Sequence, residues 1–194
     1  MTVRVYHPRL ALARPAQHPL ADIVRKAGWR PVPYSFTSLR VTGAAPPMLL
    51  SRVQALLILS PSGAKVAAPL LPAGLTCLVQ GAGTADALGR EDLDIQLPVE
   101  ARAEALWELL QTRFPQGGEF VLVRGERSRE YLEVAARGSS WRIHPWVTHR
   151  EAVREPFPAL PQVEGVLALS PTQAEILAPL SQGVRRFAWG EATA

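Results

Sequence analysis

Residues 58–70, ILSPSGAKVAAPL, return almost intact as residues 168–180, ALSPTQAEILAPL. Each copy is an apolar run, a Leu-Ser-Pro turn and a helix-like stretch, so the chain builds the same strand–turn–helix unit twice. The likeness continues past the helix. GAGTA (81–85) follows the first copy and GEATA (190–194) follows the second. Ser60 to Thr84 spans 24 positions and Ser170 to Thr193 spans 23, which keeps the paired turns in step. Two related lobes are expected.

Around the copies, short apolar runs alternate with helix-like segments, the pattern of an α/β architecture with parallel sheets. Strands are predicted at 3–6, 55–59, 75–79, 119–123 and 165–169, with extended pieces at WRPVPY, LDIQL and WRIHPWV. Helices are predicted at 15–27, 62–71, 83–88, 99–113, 127–136 and 172–180. The 99–113 segment has the clearest apolar stripe, formed by Ala103, Leu106, Trp107 and Leu110.

Ligands of parallel sheets bind outside the carboxyl ends of the strands, which is where the repeated turns fall. Ser60 and Ser170 stand where an N-cap belongs, with Pro61 and Pro171 at the first helical position. Gly81 and Gly190 let the chain turn sharply out of a strand, and Thr84 and Thr193 follow at or near the next helix start. Helix starts offer unpaired N–H groups to anions. Each turn alone is an ordinary cap; the matched pairs suggest a cleft lined by helix starts from both halves.

Charge leans the same way. The first 60 residues hold eight basic residues against one acid, Asp22. A basic surface favours an anionic partner. Nucleic acid is not expected, because the basic residues are scattered, lack interleaved aromatics and form no recognition motif. No apolar run reaches the ~18 residues of a membrane span, and the N-terminus lacks a signal layout, so a soluble cytoplasmic protein is expected. A single cysteine, Cys77, leaves no intramolecular disulfide and no cysteine metal cluster. His144 and His149, without nearby acids or cysteines, do not suggest a metal site.

The ordered set of motifs resembles the uroporphyrinogen-III synthase family over essentially the whole chain. Its parts are the hydrophobic-Ser-Pro and Gly-x-x-Thr-Ala pair in each lobe and VRVYHPR, with His7-Pro8 at the place of the family's Arg-Pro. To these add FVLVRGERSREYLEVAARGSSW, with Arg124, Gly125, Arg127 and Arg129 in its polar turn. IHPWVTHR resembles the returning connector, which in the family shows Tyr-x-Thr or Tyr-x-Arg. The resemblance implies two similar parallel-sheet α/β lobes joined by a two-stranded connector, with a cleft between them. Residues 1–35 plus 148–194 would form the first lobe, 42–142 the second, and 36–41 and 143–147 the connectors.

It also implies a reaction: hydroxymethylbilane closes to uroporphyrinogen III, the last pyrrole ring inverts and water is lost. No cofactor and no metal are implied, nor any nucleic-acid or membrane partner, and a monomer is expected. The substrate-binding residues would be Ser60, Pro61, Ser62, Gly81, Thr84, Arg127, Ser170, Thr193 and His7. The catalytic group stays open among Trp146, Thr84 and His144. The chain departs from the family pattern in having Leu59 and Leu169 where threonine is frequent, and Trp146 in place of the connector tyrosine. An indole donates a hydrogen bond but is no general acid, so that role would pass to water, His144 or His149. The family continues beyond Gly-x-x-Thr-Ala where this chain stops, so a short or truncated homologue is expected. The alternative is a non-catalytic homologue that binds an anionic tetrapyrrole or another metabolite in the interlobe cleft.

Overall fold

The computed structural model describes residues 6–14 and 16–189. In chain order its strands and α-helices are β1 (Arg9–Leu12), α1 (Pro19–Lys26), β2 (Arg30–Pro33), β3 (Thr37–Val41), β4 (Ala55–Ile58), α2 (Pro61–Ala67), β5 (Thr76–Val79), α3 (Ala82–Leu88) and β6 (Asp94–Gln96). They continue with α4 (Ala103–Arg113), β7 (Gly118–Gly125), α5 (Tyr131–Ala135), β8 (Trp141–Val153), β9 (Gly165–Ala168), α6 (Pro171–Leu180) and β10 (Arg185–Ala188). The chain divides into two compact units, residues 1–38 with 151–194, and residues 39–150. Each is an α/β unit, and the sheets are dominated by parallel pairing.

The larger sheet has the order β3-β8-β7-β4-β5-β6. From β8 to β6 every neighbouring pair is parallel. Every residue of β4 is fully buried, and the side chains alternate between two cores. Ala55 and Leu57 pack with Leu78, Phe120 and Leu122 beneath Leu106 and Leu110 of α4 and Leu132 of α5. Leu56 and Ile58 pack on the other face with Cys77, Val79, Val121 and Val123 beneath Ala64 and Ala67 of α2 and Leu88 of α3. A parallel strand covered by helices on both faces must be apolar throughout, which is why ALLI reads as an unbroken run. Burying each Leu, Ile or Val side chain contributes about 1.5–3 kcal/mol.

The smaller sheet has the order β10-β9-β1-β2, parallel throughout. Its edge strand β2, Arg-Pro-Val-Pro, shows how prolines fit a sheet. Arg30 N–H donates to Pro8 O at 2.8 Å and Tyr34 N–H to Leu12 O at 2.8 Å, so even-numbered amides point at β1. Pro31 and Pro33 occupy the outward positions, where the ladder needs no donor.

The chain leaves β4 and β7 in opposite directions. β4 continues through α2 to β5 on one side, whereas β7 continues through α5 to β8 on the other. Between their carboxyl ends lies the crevice that such a reversal opens.

Several boundaries differ from the sequence-based expectations. Residues 3–5 of the strand expected at 3–6 lie outside the described residues. The first described strand is β1, where Leu10, Ala11 and Leu12 are buried; His7 therefore precedes a strand instead of ending one. Helix α1 begins at Pro19 because His18 is its N-cap, its Nδ1 accepting Leu20 N–H at 3.2 Å. Helix α4 begins at Ala103, and Val99 projects fully into solvent. Helix α5 begins at Tyr131, leaving Arg127 and Arg129 in a turn. Strand β8 runs on to Val153, so 143–147 is one part of a 13-residue strand. Cys77 is buried, and burial pushes its thiol up to about 12, where it is inert at neutral pH.

Candidate functional site

In the unit of residues 39–150 the site forms around the crevice between β4 and β7. Ser60, just beyond β4, caps α2: its Oγ accepts Gly63 N–H at 3.2 Å, and Pro61 follows at the first helical position. Ser62 is half-buried in that first turn. Gly63 is pressed close, since a Cβ there would meet Val123 Cγ1 at 3.0 Å, Ser60 Oγ at 3.5 Å and His149 Cε1 at 3.7 Å. Beyond β5, Gly81 caps α3 without a side-chain bond, and Thr84 in the first helical turn is buried.

The turn after β7 is held from beneath. The buried Arg124 guanidinium pairs with the Glu133 carboxylate and donates from Nη2 to Ser128 O at 2.6 Å. Gly125 N–H donates to Ser128 Oγ at 3.0 Å, and Ser128 N–H returns a bond to Gly125 O at 3.2 Å. Glu126 N–H donates to His149 O at 2.9 Å, tying the turn to β8. Arg127 lies at the exposed tip of this turn. His149 is 9% exposed, its Nδ1 is 2.9 Å from Thr148 Oγ1, and burial pushes its pKa below the ordinary 6.5.

The repeated turn of the other unit is built differently. Ser170 caps α6, its Oγ accepting Gln173 N–H at 3.2 Å. The same hydroxyl donates to Glu151 Oε2 at 2.6 Å. Glu151 Oε1 accepts from Gln173 Nε2 at 2.7 Å and from Thr37 Oγ1 at 2.7 Å. Gln173 Oε1 in turn accepts Leu169 N–H at 3.1 Å. Gly63 and Gln173 hold the same place in the two copies. In one, the missing side chain leaves room for a β8 imidazole; in the other, an amide meets a β8 carboxylate.

The structure brings Ser60, Pro61, Ser62, Gly81, Thr84 and Arg127 to the carboxyl ends of the larger sheet, and Ser170 to the carboxyl end of β9. Thr193 lies outside the described residues. His7 precedes β1, at the amino end of its sheet, with Nδ1 3.2 Å from Gly28 O. Trp146 is buried in the core with Leu56, Val121 and Val123, and its Nε1 donates to Ala44 O at 2.8 Å. Its indole is therefore a packing group whose only polar hydrogen is already used. His144 pairs with Val121, midway along β7, and its Nε2 is 2.5 Å from Oε2 of Glu119, the second residue of that strand. Glu119 also accepts from Arg142 Nη1 at 2.8 Å, and Arg142 first and His144 second hold its carboxyl below the ordinary range. That cluster lies away from the crevice. Sequence reasoning missed Glu151 and Gln173; Ser170-x-x-Gln173 has the form of a capping box and was the signal for the second.

The sequence matches the family described as uroporphyrinogen-III synthase HemD across residues 18–194. No match is found among curated protein sequences. Among solved structures the chain is similar to uroporphyrinogen-III synthetase from Helicobacter pylori, with a TM-score of 0.66, 9% identity, and coverage of 97% of this chain and 86% of that one. It is also similar to a mutant uroporphyrinogen III synthase from the extremely thermophilic bacterium Thermus thermophilus, with a TM-score of 0.60, 20% identity, and coverage of 96% of this chain and 86% of that one. At these identities the likeness establishes a common fold.

Proposed function

Because this chain belongs to the uroporphyrinogen-III synthase family over residues 18–194, we propose that it closes hydroxymethylbilane to uroporphyrinogen III, inverting the last pyrrole ring and releasing water as a lyase. Family membership across nearly the whole chain carries this reading. The site residues support it. The substrate bears acetate and propionate carboxylates, which suit the hydroxyls of Ser60, Ser62, Thr84 and Ser170 and the planar fork of Arg127. Gly81 would let a carboxylate approach the backbone at the start of α3, and Thr193 is included in the proposed binding set from its place in the sequence repeat. Catalysis is mainly by positioning: a flexible linear tetrapyrrole is held so that the substituted carbon of its last ring reaches the reactive terminus.

The test is an isomer assay. Hydroxymethylbilane generated in situ is incubated with the protein, the products are oxidised, and type I and type III porphyrins are separated. A type III excess over the protein-free control is the expected result. One observation favours a second reading, that of a binding homologue without catalysis: the family's connector tyrosine is replaced by Trp146, whose N–H is spent on Ala44 O. Type I alone from folded protein would select that reading.

A further inference from the structure

Three segments of the larger sheet converge on the His149 ring. β8 supplies it, Gly63 of α2 flanks Cε1, and Gly125 at the end of β7 flanks Nε2. A Cβ at Gly125 would stand 3.0 Å from Nε2, and one at Gly63 would stand 3.7 Å from Cε1. The ring thus fills space that side chains at 63 and 125 would take, between the ends of β4 and β7, where open parallel sheets bind ligands.

One ring nitrogen is committed and the other is open. Nδ1 is 2.9 Å from Thr148 Oγ1, and that hydroxyl reaches Arg124 O at 3.4 Å. The hydroxyl has a single hydrogen. With that hydrogen on the carbonyl, Oγ1 accepts Nδ1–H and the lone pair is left on Nε2. Among the described residues no group hydrogen-bonds Nε2. Among the described residues, hydroxyls stand beside the two glycines that flank the ring, Ser60 Oγ 3.5 Å from the Cβ position of Gly63 and Ser128 Oγ 3.4 Å from that of Gly125, and Thr148 Oγ1 reaches the ring itself. The nearby Arg124 guanidinium is turned to Glu133 and Ser128 O. With Thr148 1% and His149 9% exposed, the ring is held in place and favoured as the neutral base.

We infer that His149 Nε2 is the proton-transfer group of the dehydrating step, carrying the proton of the hydroxymethyl-bearing pyrrole nitrogen to the departing hydroxyl oxygen; the inference rests on the synthase reading above. The pyrrole N–H proton passes to Nε2, and the electron pair left behind forms a C=N bond. The ring electrons shift to an exocyclic C=C bond, and the C–O bond breaks with its pair on oxygen. Nε2–H then protonates that oxygen, one water leaves, and the imidazole is neutral again. The nitrogen and the oxygen are two carbons apart in the substrate, so a single imidazole nitrogen reaches both. The step needs no oxidant, reductant or second donor.

The test is steady-state type III formation by the full chain carrying His149→Asn, His149→Ala or Gly125→Ala, with folding checked by circular dichroism. Removing the ring is expected to lower kcat by about 10²-fold or more, with KM close to wild type. Gly125→Ala keeps the ring but sets a methyl 3.0 Å from Nε2, at a backbone angle open to any residue, and is expected to lower kcat as well. Wild-type kcat/KM should fall on the acid side below 6.5, a limb absent from His149→Asn. Wild-type kcat with an unchanged pH profile in folded His149→Asn would overturn the inference and leave the synthase reading standing. Type I product alone from the wild type would instead overturn the synthase reading, and this inference with it.

Discussion

Ser170 gives its hydroxyl hydrogen to Glu151, Oγ to Oε2 at 2.6 Å, while accepting Gln173 N–H at 3.2 Å. A carboxylate of the chain itself thus occupies the serine that the repeat pairs with Ser60. Glu151→Ala should have two effects of opposite value. It strands the polar hydrogens of Thr37, Ser170 and Gln173, each half-buried or buried, and should lower stability by about 1–3 kcal/mol in urea unfolding. It also frees Ser170, so KM for hydroxymethylbilane should fall. A KM that stays constant would show that Ser170 does not meet substrate.

Trp146 invites the opposite experiment. Trp146→Phe keeps the ring packing with Leu56 and Val121 but leaves Ala44 O without its donor. Stability should drop by about 0.5–1.5 kcal/mol, the net worth of one hydrogen bond to a carbonyl on an exposed residue that water can reach. Type III formation should stay near wild type, because the indole lies in the core. A kcat loss without a stability loss would return Trp146 to the chemistry.

Arg124 and Glu133 side chains are 8% and 16% exposed, and their pairing fixes the turn that carries Ser128. Breaking such a pair leaves a charge with no partner. Arg124→Met should therefore cost about 3–5 kcal/mol, and Arg124→Met with Glu133→Leu markedly less. A denaturant double-mutant cycle measures the coupling.

Acid should weaken the fold in two stages. His149 is held below its ordinary 6.5, so the unfolded chain takes up that proton more readily. Stability from the neutral ring is complete above 6.5 and is lost as pH falls toward the folded value. Glu119 is held below its ordinary 4.5 by Arg142 and His144, so its contribution is present above 4.5 and disappears as pH falls through its folded value. The urea midpoint followed from neutral to acid pH should show both stages. His149→Asn should remove the upper one, and Glu119→Gln should diminish the lower, to which Asp92, held down by Arg90, and Glu164, held down by Tyr6, also contribute.

Much of this was legible from residue order. The apolar runs of β4, β5, β7 and β9 announce buried parallel strands, and each Ser-Pro turn stands where an α-helix starts. What the sequence hid depends on long-range partners. RLAL passes locally for a turn and a short apolar run, and only its pairing with β9 and β2 makes it a buried strand. Residues 127–130 read as helix because nothing local reveals that Arg124 grips Ser128 O and holds the segment in a turn. Trp146 looks like a cleft residue by position, and only the register of β8 against β7, Trp146 opposite Val123, places it in the core. His149 and Glu151 sit two residues apart on one strand, yet one meets a glycine and the other a glutamine, and that difference arises in the helices they face.

The two prolines of β2 have a further consequence. An incoming strand of another molecule would seek amide donors along that margin, and at Pro31 and Pro33 it would find none. Edge-to-edge pairing, a route to β-aggregation, is hindered there by the missing amide donors. The residues that keep the internal ladder whole also keep the sheet from lengthening through its neighbours.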